Sequence, residues 1–333
     1  MSVLSPFPPA LDGSGVTAGP SPTTARGLPE TFIEAAKRWQ RWLLWFFLLG
    51  PFAALALGVT LALMAGIGPT WLDLGLAIGF YAVAGHGVTA GFHRYFTHRS
   101  FTATRALRIA LAVAGSLSVE GTVTGWVADH RRHHAHSDQP DDPHSPWRFG
   151  SGAPALFKGM LWAQFGWFFS NEHTSRERFC PDLLADPDIR VVDRLFPLLA
   201  VVSITAPALF GGLLTLSWRG ALTALIWAGL VRMLVLHHVT WSVNSVCHVA
   251  GRRPFRSRDR SSNVWWLAVP SMGESWHNLH HAEPTSARHG VDRWQLDSTA
   301  RLIRWLEALR LVSDVRRPTA GRLLDRRQAV ASV

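Results

Sequence analysis

Apolar residues in this chain are gathered into long blocks, with little of the alternation expected of a half-buried strand. Trp42 to about Gly68 carries no charged residue, and Trp71 to about Phe92 carries only Asp73 and His86. Leu195 to about Trp218 and Ala221 to about Val243 form a second such pair. Each block reaches the ~20 residues that cross the hydrocarbon core of a bilayer. Within a pair only a short turn intervenes, Gly68-Pro69-Thr70 in the first and Arg219-Gly220 in the second. The pattern predicts an all-α membrane protein with four transmembrane helices, at about 42–68, 71–92, 195–218 and 221–243.

Polar residues return between and after the pairs. Leu107 to about Thr124 is nearly long enough to span, but Arg105, Arg108 and Glu120 flank or interrupt it. Pro154 to Phe169, with Phe157, Leu161, Trp162 and Trp167, reads as an interfacial element whose tryptophans suit the headgroup level. Ser298 to about Val315 has helical periodicity in Leu302, Trp305, Leu306, Leu309 and Val312 and is expected to end the fold. Residues 1–30, rich in Pro, Ser, Gly and Thr up to about Gly27, read as a disordered tail without the features of a signal peptide. Residues 316–333 read as a basic tail, which leaves 31–315 as one domain.

Charge orients the spans. The net charge of +10 comes almost wholly from arginine, since Lys37 and Lys158 are the only lysines. A basic excess suits nucleic acid or a membrane surface, and its placement beside apolar blocks favours the membrane and leaves no role for nucleic acid. Lys37, Arg38 and Arg41 precede the first span, Arg94, Arg99, Arg105 and Arg108 follow the second, and Arg190 and Arg194 precede the third. Arg252, Arg253, Arg256, Arg258 and Arg260 follow the fourth, against Arg219 alone in the opposite turns. The positive-inside rule then places both termini in the cytoplasm. Arg232, inside the fourth span, is expected to snorkel or pair. Cys180 and Cys247 make no disulfide framework and suit a reducing compartment.

Histidine carries the candidate chemistry. Asp129-His130-Arg131-Arg132-His133-His134 places imidazoles at i, i+3 and i+4, within an arc of about 100° on an α-helix, where they are expected to converge on one metal site. His277-Asn278-Leu279-His280-His281 repeats the spacing, and His93-Arg94-Tyr95-Phe96-Thr97-His98 precedes both. His93 and His98, about 140° apart on a regular helix, are expected to straddle a helix end. Eight imidazoles exceed what one ion takes, so the spacings predict a two-metal centre. Without cysteine pairs or a pair of Glu-x-x-His helices, neither structural zinc nor a carboxylate-rich di-iron bundle is expected. The clusters can share a site only on one face of the membrane, so 107–124 is expected to be a cytosolic or interfacial helix and not a fifth span. The fold class is therefore four transmembrane helices beneath a cytosolic helical cap that carries the metals. Asp129, Asp138 and Glu274 are candidates to take the outer N–H of a ligand imidazole, and His86, His136, His144, His173, His237, His238 and His289 are assigned structural roles.

Gly91 to Phe101, Asp129 to His134 with Ser137-Asp138 and Asp142-Pro143-His144-Ser145, and Gly273 to His281 resemble the three histidine boxes of the membrane fatty acid desaturases. The resemblance is closest to the acyl-CoA Δ9 (stearoyl-CoA) branch and covers about Arg41 to Leu311. It implies a di-iron site, two Fe ions held by His93, His98, His130, His133, His134, His277, His280 and His281. Thr240 to His248 is similar to the family's segment at the end of the fourth span, which implies a ninth ligand, His248, and a water-bridged Asn244 where O2 enters. Trp126, Thr240 and Trp241 match residues lining the bend of the acyl tunnel. Glu120 stands where animal enzymes carry glutamine, and Ala128 where they carry an arginine near the CoA headgroup.

The activity so implied is O2-dependent removal of two hydrogens from a saturated fatty acyl chain, as acyl-CoA or on another acyl carrier or lipid, leaving a cis double bond at Δ9. An unactivated methylene has no acid–base route at neutral pH, which fits oxygen activation at metals. No GxGxxG after a strand, P-loop, CxxCH or ferredoxin-type Cys run is present, so electrons are expected from outside: an NAD(P)H-dependent reductase, a ferredoxin or a cytochrome-type carrier. A hydroxylase on the same scaffold would add oxygen to its product instead. A His-rich metal transporter fits less well, because its ligands should lie at membrane mid-depth and not at the ends of spans.

Overall fold

The computed structural model describes residues 27–327. Most of the expected N-terminal tail and the end of the basic tail lie outside the described residues. Strand β1 (Thr31–Ile33) leads into α1 (Arg38–Ala65), which ends at Gly66 in the left-handed conformation, φ 65°. Helix α2 (Trp71–His86) follows at once and is prolonged as a π-helix over Gly87–Thr97. After β2 (Thr102–Ala103) come α3 (Arg105–Ser116), α4 (Val123–His136), α5 (Ala153–Gln164) and β3 (Glu172–Thr174). The second hairpin is α6 (Pro187–Thr215), started by an Asp186 cap and Pro187 in its first turn, and α7, continuous over Trp218–His248. Helix α8 (His277–Ala282), α9 (Ser298–Ala308), β4 (Val312–Ser313) and α10 (Ala320–Arg326) complete the described chain.

Four helices, Arg38–Ala65, Trp71–Thr97, Pro187–Thr215 and Trp218–His248, are long and apolar enough to cross a membrane. The protein is a four-span membrane protein. Phe46, Leu63 and Met64 of α1 and Leu209 and Leu213 of α6 are exposed, a face that water would not tolerate and lipid would. Helices α2 and α7 each run five residues past the expected 92 and 243. Hydropathy stops where Arg94 and Asn244 appear, whereas the backbone stays helical because the cap supplies partners: buried Arg94 meets Glu274 at 2.9 Å and Asp297 at 3.0 Å. Arg232 behaves as expected, donating to the Ser203 carbonyl at 2.9 Å.

Helix α3 has 12 residues, about 18 Å at 1.5 Å per residue, so it cannot cross the ~30 Å hydrocarbon core and lies in the cap. It packs on the π-helix at backbone contact. A Cβ on Gly87 would sit 2.2 Å from the Ala114 carbonyl carbon, so only glycine permits the approach. The cap's core is built from Phe92 and Phe96 of the π-helix, Leu111 of α3, Val127 of α4, Ile189 of α6 and Ile303 of α9. Two antiparallel pairs, β1 with β3 and β2 with β4, tie the chain ends to this core. Helix α9 stops at Ala308, short of the expected Val315, because Arg310 turns left-handed at φ 57° and delivers Val312 to pair with Ala103. The expected basic tail begins with α10, whose Arg322 and Arg326 meet Glu283 at 3.0 and 3.3 Å.

Candidate metal centre

The π-helix accounts for the spacing of the first two histidines. The His98 N–H donates to the His93 carbonyl at 3.1 Å, five residues back. A turn one residue wider than an α-turn returns positions five apart to one face, and the two rings lie 4.8 Å apart. His98 terminates the helix, as expected. His130, His133 and His134 occupy the last turns of α4, His277, His280 and His281 make up half of α8, and His248 closes the final turn of α7.

These nine imidazoles form two clusters, His93, His98, His130, His134 and His280 in one and His133, His248, His277 and His281 in the other. In the first, Nε2 of His280 lies 3.0 Å from that of His93 and 2.9 Å from that of His134. In the second, Nε2 of His277 lies 3.1 Å from that of His248 and 3.0 Å from that of His281. Separations near 3 Å are what two nitrogens at right angles on one ion, each about 2.1 Å away, would show. Each His-x-x-His-His motif is therefore divided and does not converge on one site as its arc suggested. On α4 the i and i+4 residues join the five-histidine cluster and i+3 the other; on α8 the assignment is reversed. Positions i+3 and i+4 lie on opposite sides of i, about 60° and 40° away, so two facing helices exchange one ligand each.

The donor set fits metal. His98 Nε2 and His133 Nε2 are buried without a hydrogen-bond partner, each inside its cluster, and an ion there would satisfy both. Carboxylates hold the outer nitrogens, leaving Nε2 free to ligate. His93 Nδ1 lies 2.6 Å from Glu274, His133 Nδ1 3.0 Å from Asp142, His248 Nδ1 3.1 Å from Asp138 and His281 Nδ1 2.5 Å from Asp259. Asp138 and Glu274 were expected here. Asp129 was expected too, but its partners are Thr174, Arg176 and Arg132, and none of the nine clustered imidazoles is paired with it. Asp142 and Asp259 were not foreseen, although Asp142 stands in a quoted motif. His289, assigned a structural role, lies 3.3 Å from Glu274 and helps Arg94 fix it.

Burial, and after it repulsion between neighbouring imidazoles, holds His98, His130, His134, His277 and His280 well below the usual histidine range. His281 is pushed down to about 4 by burial in spite of Asp259. These rings are neutral at physiological pH, the form that binds metal. Burial resists ionisation of Asp142 and Asp259, but the adjoining His133 and His281 override it and keep both acids below the ordinary carboxylate range.

A cavity of about 80 Å³ reaches His93, His130 and His277 and is lined by Trp126, Thr240, Trp241 and Asn244, so all four predicted non-histidine site residues face one space with the ligands. Trp126 stacks on His130 at 4.9 Å, and Trp241 stacks on His237 at 5.0 Å. The cavity is mostly apolar, a shape that suits a hydrocarbon chain beside the clustered imidazoles. Buried Cys180 and Cys247 take no part in either cluster.

A family model described as fatty acid desaturase matches residues 69–313. Among curated proteins, the hex-5-enoyl-(acyl-carrier protein) acetylenase of Moorena producens is 40% identical over 251 residues, 75% of this chain and 78% of that protein. The sn-1 stearoyl-lipid 9-desaturase of Anabaena variabilis is 36% identical over 250 residues, 74% of this chain and 85% of that one. The acyl-CoA C20 Delta5-desaturase of Anemone leveillei is 34% identical over 255 residues, 75% of this chain and 76% of that one.

Proposed function

Because the chain belongs to the fatty acid desaturase family, we propose that its nine imidazoles hold two iron ions and that it places a cis double bond, at Δ9, in a saturated fatty acyl chain. The observation that supports this reading is the division of nine buried nitrogens into sets of five and four around one narrow apolar cavity. Bound iron would supply the O2 activation that hydrogen removal from a methylene requires. The protein's own part is positioning. Trp126, Thr240 and Trp241 hold the chain against the ligands and exclude water, and each buried CH2 adds about 0.8 kcal/mol to binding. Asn244, one turn before His248, faces the same cavity and suits a water-bridged position beside the four-histidine cluster. Electrons come from an external reductase, ferredoxin or cytochrome-type carrier.

The finer reading, a fatty acyl-CoA substrate, rests on the box motifs; the names of the relatives divide among CoA, acyl carrier protein and lipid. Lipids of cells expressing the protein should gain a monounsaturated chain. Purified protein supplied separately with stearoyl-CoA, stearoyl-acyl carrier protein and stearoyl-lipid should desaturate the CoA ester, and a product that gains oxygen would instead identify a hydroxylase. Stoichiometric zinc alone, in protein made with ample iron, would count against the metal assignment. The arginine distribution supports a cytoplasmic centre and termini. An introduced cysteine beside Gly68 should then react with an impermeant reagent in intact cells, and one beside Ser151 should not.

A further inference from the structure

Between α3 and α4 the chain makes a tight loop in which Val119 and Gly121 are left-handed, at φ 63° and 121°, and Glu120 points inward. Glu120 lines the cavity at the metal ligands and also a larger one of about 570 Å³, walled by Leu43, Leu44 and Phe47 of α1 and Phe196 of α6. The two also share Asp129, Phe168 and Trp241, so Glu120 stands with them at the neck between the cavities. Its Oε2 accepts from Trp126 Nε1 at 3.2 Å, while its Oε1 is buried without a partner. The adjacent Thr240 hydroxyl donates to the Leu236 carbonyl at 3.0 Å, which leaves only its lone pair for Glu120. An ionised Oε1 therefore meets no donor, whereas the acid form can give its O–H to Thr240.

We propose that Glu120 is a proton-linked gate on the acyl channel: the hydrocarbon chain passes the neck only against the neutral acid, so chain binding above neutral pH takes up a proton. The inference rests on the reading of the cavity as an acyl channel. Among the described residues no lysine or arginine pairs with Glu120. The titratable and charged groups around it are engaged or set back. Tyr81 of α2 donates to the Pro270 carbonyl, His237 of α7 meets the Ser118 carbonyl at 2.7 Å, and Arg232 is held by Ser203. Asp129 lines both cavities but is engaged by Thr174, Arg176 and Arg132, and Glu34, His173 and Arg176 line the larger one. Burial pushes Glu120 up to about 7 against the pull of the Trp126 N–H. Filling the neck with methylenes removes the remaining water and raises it further. Above that pH each further unit should cost up to tenfold in affinity, because one proton must be supplied per chain bound.

The test uses iron-loaded, full-length protein in lipid nanodiscs with radiolabelled methyl stearate, a probe with no ionisable group. Affinity should be constant from pH 6 to about 7 and then fall up to tenfold per unit toward pH 9. Glu120→Gln mimics the acid's hydrogen bonds and has no proton to lose, so its affinity should stay flat over the same range. A flat wild type, or a slope retained in Glu120→Gln, would overturn the gate. Should that variant fail to insert, a pH-indicator dye with wild-type protein at pH 8 reads the same quantity: close to one proton taken up per probe bound supports the gate, and none removes it. Absence of methyl stearate binding at any pH would instead sink the channel reading, and the gate with it.

Discussion

In the five-histidine cluster, His93 alone among the described residues leans on a carboxylate, Glu274, whereas in the four-histidine cluster His133, His248 and His281 lean on Asp142, Asp138 and Asp259. The cluster with fewer ligands has more negative charge behind it. A carboxylate at Nδ1 makes an imidazole a stronger donor and fixes its tautomer, so three such pairs offset a missing fifth nitrogen. On the function proposed above, a coordination position would remain open toward Asn244, which lines the cavity. If both clusters hold iron as proposed, one centre would be closed by ligand number and the other left open and held by charge.

The most severe test of this division is to remove one ligand from each centre. His280→Ala and His281→Ala should both reduce product to background, and iron measured by mass spectrometry should fall below the about two atoms per chain expected of wild type. Full iron and activity in either variant would break the comparison. Next in size is Asn244→Ala, which should keep most of its iron and lose turnover, while His248→Ala loses both. If Asn244→Ala desaturates in proportion to the folded protein recovered, the open position is not where we place it. Asp259→Asn and Asp142→Asn should weaken iron at the four-histidine centre about 10- to 100-fold in chelator competition and spare the other; Glu274→Gln should do the reverse.

The smallest effect is expected of a change that should not discriminate. Arg131, between the ligands of α4 but facing away, pairs with Asp182 at 2.6 Å, and Arg99 meets the same acid at 2.8 Å. Burial opposes ionisation of Asp182, but Arg131 and Arg99 prevail and hold it down to about 2. A depressed carboxylate stabilises the fold above its unfolded value, near 4, and that contribution is lost as pH falls from about 4 through about 2. Asp182→Asn should therefore cost about 1–3 kcal/mol at pH 7 and approach wild type as the pH nears 2, read by thermal unfolding. Both centres should loosen alike, since α4 serves both.

The spans and the eight histidines of the three spaced clusters were legible because runs and spacings are local properties of a chain, whereas His248 was implied only by the family resemblance of Thr240 to His248. The partition of ligands was not, since it depends on how α4 and α8 face each other, and a single motif carries no information about its partner. Asp259 sits in an arginine-rich stretch that reads as a solvated loop, and only folding brings it to His281. Asp129 erred the other way: next to His130 in sequence, it is taken up by Thr174, Arg176 and Arg132. The five-residue spacing of His93 and His98 puzzles an α-helical reading and is resolved by a π-helix, which hydropathy cannot announce.

The exchange of ligands between α4 and α8 also bears on how the protein is made. His93 and His280, 187 residues apart, belong to one centre, and ribosomes add about 5–20 residues per second. For roughly 10–40 s after His93 is translated neither centre can exist, while two hairpins are threaded into the bilayer. During that interval the early histidines are exposed to whatever ion the cell offers. If the clusters hold iron as proposed, loading cannot be completed before His280 and His281 are made, so the availability of iron once the chain is complete should set the yield of working enzyme.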